Sequence, residues 1–228
     1  MPNNQPTDAE TSFPSDVMGA IVLCGGQSTR LGIDKTELIF RDQTFLELVV
    51  QQVSKVAKHV VLVGRINSES HHLAENIISL QDERDGLGPL EGIRVGLKCL
   101  ADRNIPLAFV TSCDVPLLKP ELIRFLISQR CERSAIVPVD GARVYGMTAI
   151  YETELHSRIE ERLENKQLRV SELADAFDAR KVPVNELKDV DPNLDSMTNI
   201  NSAQDYQALL DRFQLTCPPE LAKRIKEK

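Results

Sequence analysis

One glycine-rich segment of this chain carries the residue types that hold phosphate groups. Residues 23–35 read LCGGQSTRLGIDK, with Gly25 and Gly26 after a short apolar run and the cations Arg30 and Lys35 further along. Glycine allows backbone N–H groups to approach an anion closely, and the cations neutralise its charge. A simple glycine-rich turn would explain the glycines but not the cations. The segment therefore predicts a phosphate-binding loop.

The spacing within this loop excludes two common nucleotide-binding motifs. No Lys-Ser or Lys-Thr pair follows a glycine at the spacing of G-x-x-x-x-G-K-[ST], and the loop does not contain G-x-G-x-x-G. A P-loop kinase and a Rossmann dehydrogenase are therefore disfavoured.

A carboxylate, Asp114, follows a second apolar run at residues 107–110. In α/β proteins the carboxyl ends of parallel strands border the crevice where ligands bind. Mg²⁺ takes oxygen ligands and usually keeps waters plus one or two carboxylates. The alternative is a helix N-cap, but Pro120 places the next helix start several residues later. Asp114 is therefore a candidate metal ligand.

Two further polar segments fit either a ligand site or ordinary surface turns. Residues 82–92 read DERDGLGPLEG, which on its own fits an acidic surface loop with a proline at the start of a helix. Residues 199–205 read NINSAQD, in which Ser202 followed by Asp205 three positions later predicts a capped helix start.

Composition limits the ligands and the setting of the protein. The chain has 228 residues, of which 42% are hydrophobic and 27% are charged, and its net charge is −7. This acidic balance argues against nonspecific nucleic-acid binding, so an anionic ligand needs a local basic site. The five scattered cysteines form no C-x-x-C pair, which leaves zinc and redox motifs unsupported and makes a reducing cytoplasm the expected compartment. No run approaches the roughly 20 apolar residues of a membrane span.

The elements that must position these residues follow from the hydrophobic pattern. Short apolar runs alternate with segments of helical spacing, which predicts right-handed βαβ units and a mostly parallel sheet. Strands are predicted at residues 17–23, 60–63, 77–80, 106–110, 135–139, 144–151 and 182–190, and later helices at residues 153–164 and 199–213. We predict one α/β domain over residues 17–215, a disordered arm over residues 1–16 and a polar tail over residues 216–228.

Taken together, the four segments resemble those of the molybdenum cofactor guanylyltransferases. The loop of that family reads L-x-G-G-x-S-x-R-[ML]-G-x-D-K, and residues 23–35 match every specified position. The family patterns G-P-L-x-G, C-D-x-P-x-[LI] and N-I-N-[TS]-x-x-[DE] match residues 88–92, 113–118 and 199–205. The resemblance implies an α/β fold of three layers, with a doubly wound, mostly parallel sheet of the glycosyltransferase-A-like nucleotidyltransferase type.

The resemblance also implies which residues meet the phosphates and the metal ion. Arg30 and Lys35 would contact phosphate oxygens, and together with Asp114 they would form the catalytic set. Asp114 would hold Mg²⁺, and Asn201 would return to the metal site as a second ligand.

A second set of residues is implied to contact the rest of the nucleotide. It comprises Leu23, Cys24, Gly25 and Gly26 in the loop, together with Gly88 in the base pocket and Asp82. Because the segment around Asp82 is one residue shorter than in some relatives, Asp85 is an alternative to Asp82.

The reaction implied by the resemblance is transfer of GMP from GTP to molybdopterin or Mo-molybdopterin, with Mg²⁺ as cofactor. It forms molybdopterin guanine dinucleotide and releases pyrophosphate. Proteins that carry the cofactor or mature molybdoenzymes are further candidate partners. A phosphate acceptor is already a nucleophilic anion, so positioning and a metal ion can carry the reaction. The histidines of the chain fall outside the matched segments, so no histidine base is expected.

Three other functions remain open at this point. They are a CTP-dependent molybdopterin cytidylyltransferase, a transferase for a sugar or polyol phosphate, and a non-catalytic nucleotide-binding accessory protein. Gly25 and Gly26 favour guanine, since cytidylyl relatives more often carry Ala-Gly there, and an accessory protein would be expected to lose Lys35 or Asp114. Many relatives carry a His-Pro or Gln-Pro pair on the acceptor side. This chain has RVYGM there, which leaves Arg143 and Arg169 as candidate contacts for the acceptor phosphate.

Overall fold

The strands of the protein form one large sheet and one small hairpin. The structure is a computed structural model that describes residues 17–25, 34–64 and 77–225. In chain order the strands are β1 (Met18–Leu23), β2 (Ile39–Phe40), β3 (Gln43–Thr44), β4 (His59–Val63), β5 (Ile77–Leu80), β6 (Leu107–Ser112), β7 (Ala135–Asp140), β8 (Arg143–Val144), β9 (Ala149–Glu152) and β10 (Arg180–Pro183).

Eight helices accompany these strands in the described part of the chain. They are α1 (Phe45–Val53), α2 (Pro89–Ala101), α3 (Pro120–Ser128), α4 (Leu155–Glu164), α5 (Leu173–Ala176), α6 (Val184–Leu187), α7 (Ala203–Arg212) and α8 (Pro219–Arg224). Short 3₁₀ helices occupy Lys35–Glu37, Val170–Glu172 and Asp195–Met197. None of the helices in the described ranges has the length and apolar run needed to cross a membrane.

The sheet has the order β5-β4-β1-β6-β9-β7-β10, with β8 paired to β7, and β2 and β3 form the hairpin. β1 runs parallel to both β4 and β6, β4 runs parallel to β5, and β7 runs parallel to β10. β9 runs antiparallel to both β6 and β7. The prediction of a mostly parallel α/β sheet is therefore confirmed.

The position of β1 in the sheet creates the crevice expected for a ligand. After β1 the chain first adds β4 and β5 on one side and later adds β6 on the other. Such a reversal of strand order leaves a crevice at the carboxyl end of the first strand, because the connections leave in opposite directions. Leu23 pairs with Val63 of β4 and with Ser112 of β6, so three strands end together at this edge.

Helices cover both faces of the sheet, which explains why all six residues of β1 are buried. On one face Ala20 and Val22 pack in a core cluster with residues of α1 and α3. On the other face Ile21 and Leu23 pack in a second cluster with residues of α2 and α4. The alternation of side chains along the strand thus produces the three-layer arrangement.

Helix α2 packs unusually closely on β1. A Cβ atom added at Gly96 would lie 2.8 Å from the side chain of Ile21, and one added at Gly92 would lie 2.9 Å from Leu23 Cδ2. Both distances are shorter than real Cβ contacts. A side chain at Gly96 would displace three carbon atoms of Ile21, whereas one at Gly92 would displace the end of the flexible Leu23 side chain.

A third core cluster joins the β2–β3 hairpin to α7 and α8. Leu38 and Phe40 pack here with Ile200, Tyr206 and residues further along both helices. α7 begins with the predicted capping box, since Ser202 accepts from the backbone of Asp205, and the Asp205 carboxylate accepts in return.

The structure corrects the prediction of a long strand over residues 182–190. The strand ends at Pro183, which has no N–H to donate to a neighbouring strand, and α6 follows at once. Val184 and Leu187 are three positions apart, so a helical turn buries both in the first core cluster.

Two other segments differ from the sequence-based expectation. The strand predicted at residues 144–151 is divided into β8 and β9 by a turn around Gly146. The segment predicted as a polar tail contains α8, whose Leu221 is only 5% exposed in the third core cluster.

Candidate active site

The candidate site lies at the carboxyl ends of β1 and β6, where backbone hydrogen bonds continue the strand pairing. Cys24 N–H donates to Val63 O at 2.7 Å, and Cys113 N–H donates to Leu23 O at 3.0 Å. These bonds fix the beginning of the predicted phosphate-binding loop and the residue before Asp114. Asp114 does not cap a helix, because α3 begins at Pro120 with Lys119 as its N-cap residue.

Lys35 is directed by the local structure of its own segment. Asp34 caps the 3₁₀ helix Lys35–Glu37 by accepting from Thr36 N–H at 2.9 Å and from the Thr36 hydroxyl at 2.8 Å. The Lys35 ammonium donates to Asp114 Oδ2 at 2.8 Å and to Asn201 Oδ1 at 2.5 Å. Three residues that are distant in sequence therefore meet at one point.

The second carboxylate oxygen of Asp114 is held by residues that the sequence did not single out for this site. Asp114 Oδ1 accepts from the Ser112 hydroxyl at 2.5 Å and from Asn199 Nδ2 at 2.8 Å. Ile200 N–H donates to Asp114 O at 2.9 Å, which ties the segment of Asn199 to the β6 loop. Asp114 is thus fixed through one oxygen and through its backbone.

Asn201 is positioned by the start of α7. Its N–H donates to Asp205 Oδ2 at 2.9 Å, and the Ser202 N–H donates to the same oxygen at 2.9 Å. Burial alone raises the pKa of Asp205, but these N–H groups and the Ser202 hydroxyl outweigh it and hold the pKa below its ordinary value. The cap therefore stays ionised and keeps Asn201 in place.

The donor set of the site fits Mg²⁺. Asp114 Oδ2 and Asn201 Oδ1 are hard oxygen atoms within 2.8 Å of a single nitrogen, so a cation at that point contacts both. Among the described residues, no three His, Cys, Asp or Glu side chains cluster in a way that could hold a metal ion. One carboxylate and one amide suffice for Mg²⁺, which keeps waters and takes substrate phosphates as its other ligands.

Asp82 lies beside the first glycine of the loop. A Cβ atom added at Gly25 would be 3.9 Å from Asp82 Oδ2, and no atom of Asp85 comes within 4 Å of that point. Burial, followed by the charges of Glu91 and Asp85, raises the pKa of Asp82. Of the two carboxylates that the sequence left open, Asp82 is the one next to Gly25.

A buried ionic network joins the loop that carries Asp82 to α2 and α4, and the sequence reading missed it. Glu91 on α2 is fully buried and accepts from Arg84 and Arg94, each at 2.8 Å. Glu160 on α4 pairs with Arg84 at 2.8 Å and with Arg94 at 3.0 Å. Burial raises the pKa of Glu91, but the hydrogen bonds from the two arginines outweigh it, so the pKa lies below its ordinary value.

Cys24 contributes backbone to the site, because its side chain is buried. The residue is 4% exposed, and a hydrogen bond with Cys113, followed by burial, raises the pKa of its thiol well above the ordinary value. The thiol therefore stays neutral within the core. Gly88 begins α2 as its N-cap residue with a φ of 69°, and Gly26 and Arg30 lie outside the described residues.

Comparison with known proteins assigns this arrangement to a family. The family model of the MobA-like NTP transferase domain matches residues 20–178. The chain belongs to the MobA-like NTP transferases. It is therefore a nucleotidyltransferase by family, and the resemblance to molybdenum cofactor guanylyltransferases is confirmed.

Two relatives illustrate the extent of the match with this family. The chain is 30% identical over 204 residues to a probable molybdenum cofactor guanylyltransferase of Methanosarcina mazei, which covers 84% of this chain and 89% of that protein. It is 32% identical over 196 residues to a protein of the same name from Mycobacterium avium, and the match covers 84% of this chain and 94% of that protein.

Solved structures confirm the fold of the family. Molybdopterin-guanine dinucleotide biosynthesis protein A from Archaeoglobus fulgidus has a TM-score of 0.72 and 23% identity, covering 86% of this chain and 99% of that one. The 4-diphosphocytidyl-2C-methyl-D-erythritol synthase from Anaerococcus prevotii has a TM-score of 0.63 and 17% identity, and the match covers 88% of this chain and 99% of that chain. The predicted nucleotidyltransferase fold is therefore present.

The two arginines predicted on the acceptor side are placed differently from each other. Arg143 lies on β8, and its guanidinium carbon is 4.5 Å from the centre of the Tyr145 ring. This hairpin leaves the carboxyl end of β7, which is the same edge of the sheet as Asp114. The Arg169 side chain is 82% exposed and lies 3.8 Å from Glu172. Neither arginine pairs with Asp114 in the described residues.

Proposed function

We propose that this member of the family transfers GMP from GTP to molybdopterin, forms molybdopterin guanine dinucleotide and releases pyrophosphate. The observation that carries the proposal is the meeting of Lys35, Asp114 and Asn201 at the edge of the sheet where Gly25 follows β1 and Asp82 follows β5. The names of the two relatives at 30% identity or more support guanylyl transfer.

In the proposed mechanism the terminal phosphate of molybdopterin attacks the α-phosphate of GTP in line with the leaving pyrophosphate. The Lys35 ammonium binds phosphate oxygens and offsets the negative charge that grows on them. Backbone N–H groups at the start of the loop bind the triphosphate, since no side chain at Gly25 blocks their approach. The acceptor phosphate is already an anion, so the chain supplies orientation rather than a base.

Asp114 and Asn201 would hold Mg²⁺ in the proposed mechanism. When bound, the ion would neutralise charge on the α-phosphate and on the departing pyrophosphate. Ser112 and Asn199 keep Asp114 in the orientation that this role requires.

Asp82 is proposed to select the base from the other side of the loop. Its carboxylate can accept hydrogen bonds from the N–H donors of guanine, and Arg143 is proposed to meet the acceptor phosphate across the crevice.

All five cysteines are free, which agrees with a reducing cytoplasm as the proposed compartment. Proteins that carry molybdopterin remain the proposed partners.

The proposal is tested by incubating the protein with molybdopterin, Mg²⁺ and each nucleoside triphosphate in turn while pyrophosphate release is measured. We expect turnover with GTP, and a dinucleotide product of the corresponding mass. Turnover with CTP alone would replace the guanylyl assignment by the cytidylyl one. Turnover that requires a sugar or polyol phosphate would replace molybdopterin as the assigned acceptor. Binding of GTP without turnover would indicate an accessory protein.

A further inference from the structure

The Lys35 ammonium lies at the point where a cation held by Asp114 and Asn201 would lie. It is 2.8 Å from Asp114 Oδ2 and 2.5 Å from Asn201 Oδ1. Asp114 Oδ1 is engaged by Ser112 and Asn199. Oδ2 is therefore the oxygen that would face a metal ion. An ammonium group and a divalent ion both require these oxygens, so the two cations exclude each other.

We propose that Lys35 is an internal cation that blocks the Asp114–Asn201 site to divalent ions until the phosphates of a nucleotide draw its ammonium away. The inference rests on the proposed function only in taking a nucleoside triphosphate as the ligand that releases Lys35. Nucleotide and metal ion then favour each other, because either one removes the competitor of the other. By linkage, each raises the affinity for the other by the same factor.

The surroundings of Lys35 allow this exchange without a change of the backbone. The cap formed by Asp34 and Thr36 fixes the backbone at the start of the short helix. The Lys35 side chain itself is 24% exposed and ends a flexible four-carbon stem, whereas the Asp114 side chain is 11% exposed and held from several directions. The lysine is the partner that moves.

An ion pair with a purely structural role makes a different prediction. Removing its lysine would leave Asp114 without a cationic partner and would loosen the site, which lowers the affinity for every ligand. In the competition that we propose, removing the lysine has opposite effects on two ligands. The affinity for a divalent ion rises, and the affinity for a nucleotide falls.

The experiment compares the wild type with Lys35→Met. Mn²⁺ binding is measured by electron paramagnetic resonance with no nucleotide present, and GTP binding is measured by calorimetry with no divalent ion present. We expect the Mn²⁺ dissociation constant of the variant to fall about tenfold, which corresponds to about 1.4 kcal/mol. We expect GTP binding to weaken by a similar factor.

Two controls assign the effect to this site. Lys55→Met removes the same charge from a lysine whose ammonium donates to Gln52 Oε1 and which lies near the amino end of β4, at the opposite edge of the sheet. It should leave Mn²⁺ binding unchanged. The double variant Lys35→Met/Asp114→Asn should lose the gain in Mn²⁺ affinity. Lys35→Gln keeps a polar side chain and serves as a second variant if Lys35→Met folds poorly.

An unchanged or weaker Mn²⁺ affinity in both Lys35 variants would overturn the inference, as would a gain that persists without the Asp114 carboxylate. These outcomes are separate from the test of the proposed function. If the wild type releases no pyrophosphate from GTP while Lys35→Met still gains Mn²⁺ affinity, the proposed function fails and the cation competition stands.

Discussion

Asp114 illustrates how one residue is given two tasks through its two oxygens. Oδ1 accepts from Ser112 and Asn199, and Oδ2 pairs with Lys35. Because Oδ1 is held from two sides, the carboxylate cannot rotate to follow the lysine when its ammonium moves. Oδ2 then remains directed at the position that a ligand ion would take.

We expect Asn199→Ala to lower turnover about 10- to 100-fold, the usual effect of removing a partner that orients a metal ligand. The variant should fold normally, since Asn199 is only partly buried. Pyrophosphate release with GTP and molybdopterin provides the measurement. Asn165→Ala is the matched control, because the Asn165 side chain bonds only to Glu161 O on the exposed side of α4. Equal turnover of both variants would show that Asn199 does not orient Asp114.

Asp82 leads to a prediction about pH. Its pKa is raised by burial and by Glu91 and Asp85, so it takes up a proton at a higher pH than an ordinary aspartate does. A protonated carboxyl accepts hydrogen bonds poorly, so GTP affinity should begin to fall in mildly acidic solution. Calorimetric titration of GTP at several pH values measures this fall. In Asp82→Asn the affinity should be lower and should lose this pH dependence; the same pH profile in both proteins would contradict the role.

At the scale of elements, the start of α2 is the part that joins the loop of Asp82 to the rest of the fold. Glu91 and Arg94 on α2 connect through Arg84 to the loop that carries Asp82, and through Glu160 to α4. A buried ionic network of this kind adds little net stability, but it becomes costly when one member is removed. The network instead fixes the direction in which the loop of Asp82 enters α2.

We expect Glu91→Gln to destabilise the protein by about 3 kcal/mol, because two arginines then lose their buried counter-charge. Urea unfolding gives the free energy, and calorimetry should show weaker GTP binding as Asp82 moves. Glu160→Gln is the control at the solvent-facing end of the same network, where a loss of about 1 kcal/mol or less is expected. Equal losses in the two variants would contradict a special role of the buried carboxylate.

The elements that the sequence predicted well are those with one dominant signal. β1, β4 and β6 are buried on both faces, so their apolar runs are nearly continuous, and the starts of α2 and α3 are marked by Pro89 and Pro120. β10 and α6 were read as one strand because apolar residues continue past Pro183. Val184 and Leu187 are buried by a helical turn, and a continuous run of apolar residues does not distinguish such a turn from a strand.

The site was predictable in part for a related reason. Asp114 and Asn201 lie in segments that match family patterns, whereas the role of Ser112 depends on the way in which Asp114 turns back towards β6. The network around Glu91 joins the loop of Arg84 and the start of α2 to Glu160 on α4, which is 76 residues from Arg84 in sequence. Helical spacing accounts for the pair of Glu91 with Arg94, but no spacing rule along the chain contains the pairings with Glu160.

Across the whole molecule, the third core cluster connects the two segments that supply Lys35 and Asn201. Leu38 follows the short helix of Lys35, Ile200 precedes Asn201, and both are buried in this cluster. α8 closes the cluster with Leu221, and its Arg224 pairs with Glu37 at 2.6 Å. The last helix therefore bears on the site, although it lies near the end of the chain.

We expect Leu221→Ala to lower the free energy of unfolding by about 2 kcal/mol, through loss of buried apolar surface and the cavity left behind. It should also weaken GTP binding, because Lys35 and Asn201 lose part of their common support. Chemical denaturation and calorimetry measure the two effects. Lys223→Ala on the exposed side of the same helix should change neither quantity, and a Leu221 variant that binds GTP normally would separate α8 from the site.

The close contact of α2 with β1 has a consequence for how such a protein can diversify. Gly92 and Gly96 admit no side chain without moving Leu23 or Ile21, and Leu23 leads directly into the phosphate-binding loop. A substitution library should therefore tolerate little at Gly96, where a Cβ atom would meet three carbon atoms of Ile21, and more at Gly92, where it would meet the end of the Leu23 side chain. Under the proposed function, variation in nucleobase preference falls to the residues between Asp82 and Gly88, where a Cβ atom added at Gly86 or Gly88 would meet no atom within 4 Å. An engineer seeking a different nucleotide would keep the helix and randomise that short segment.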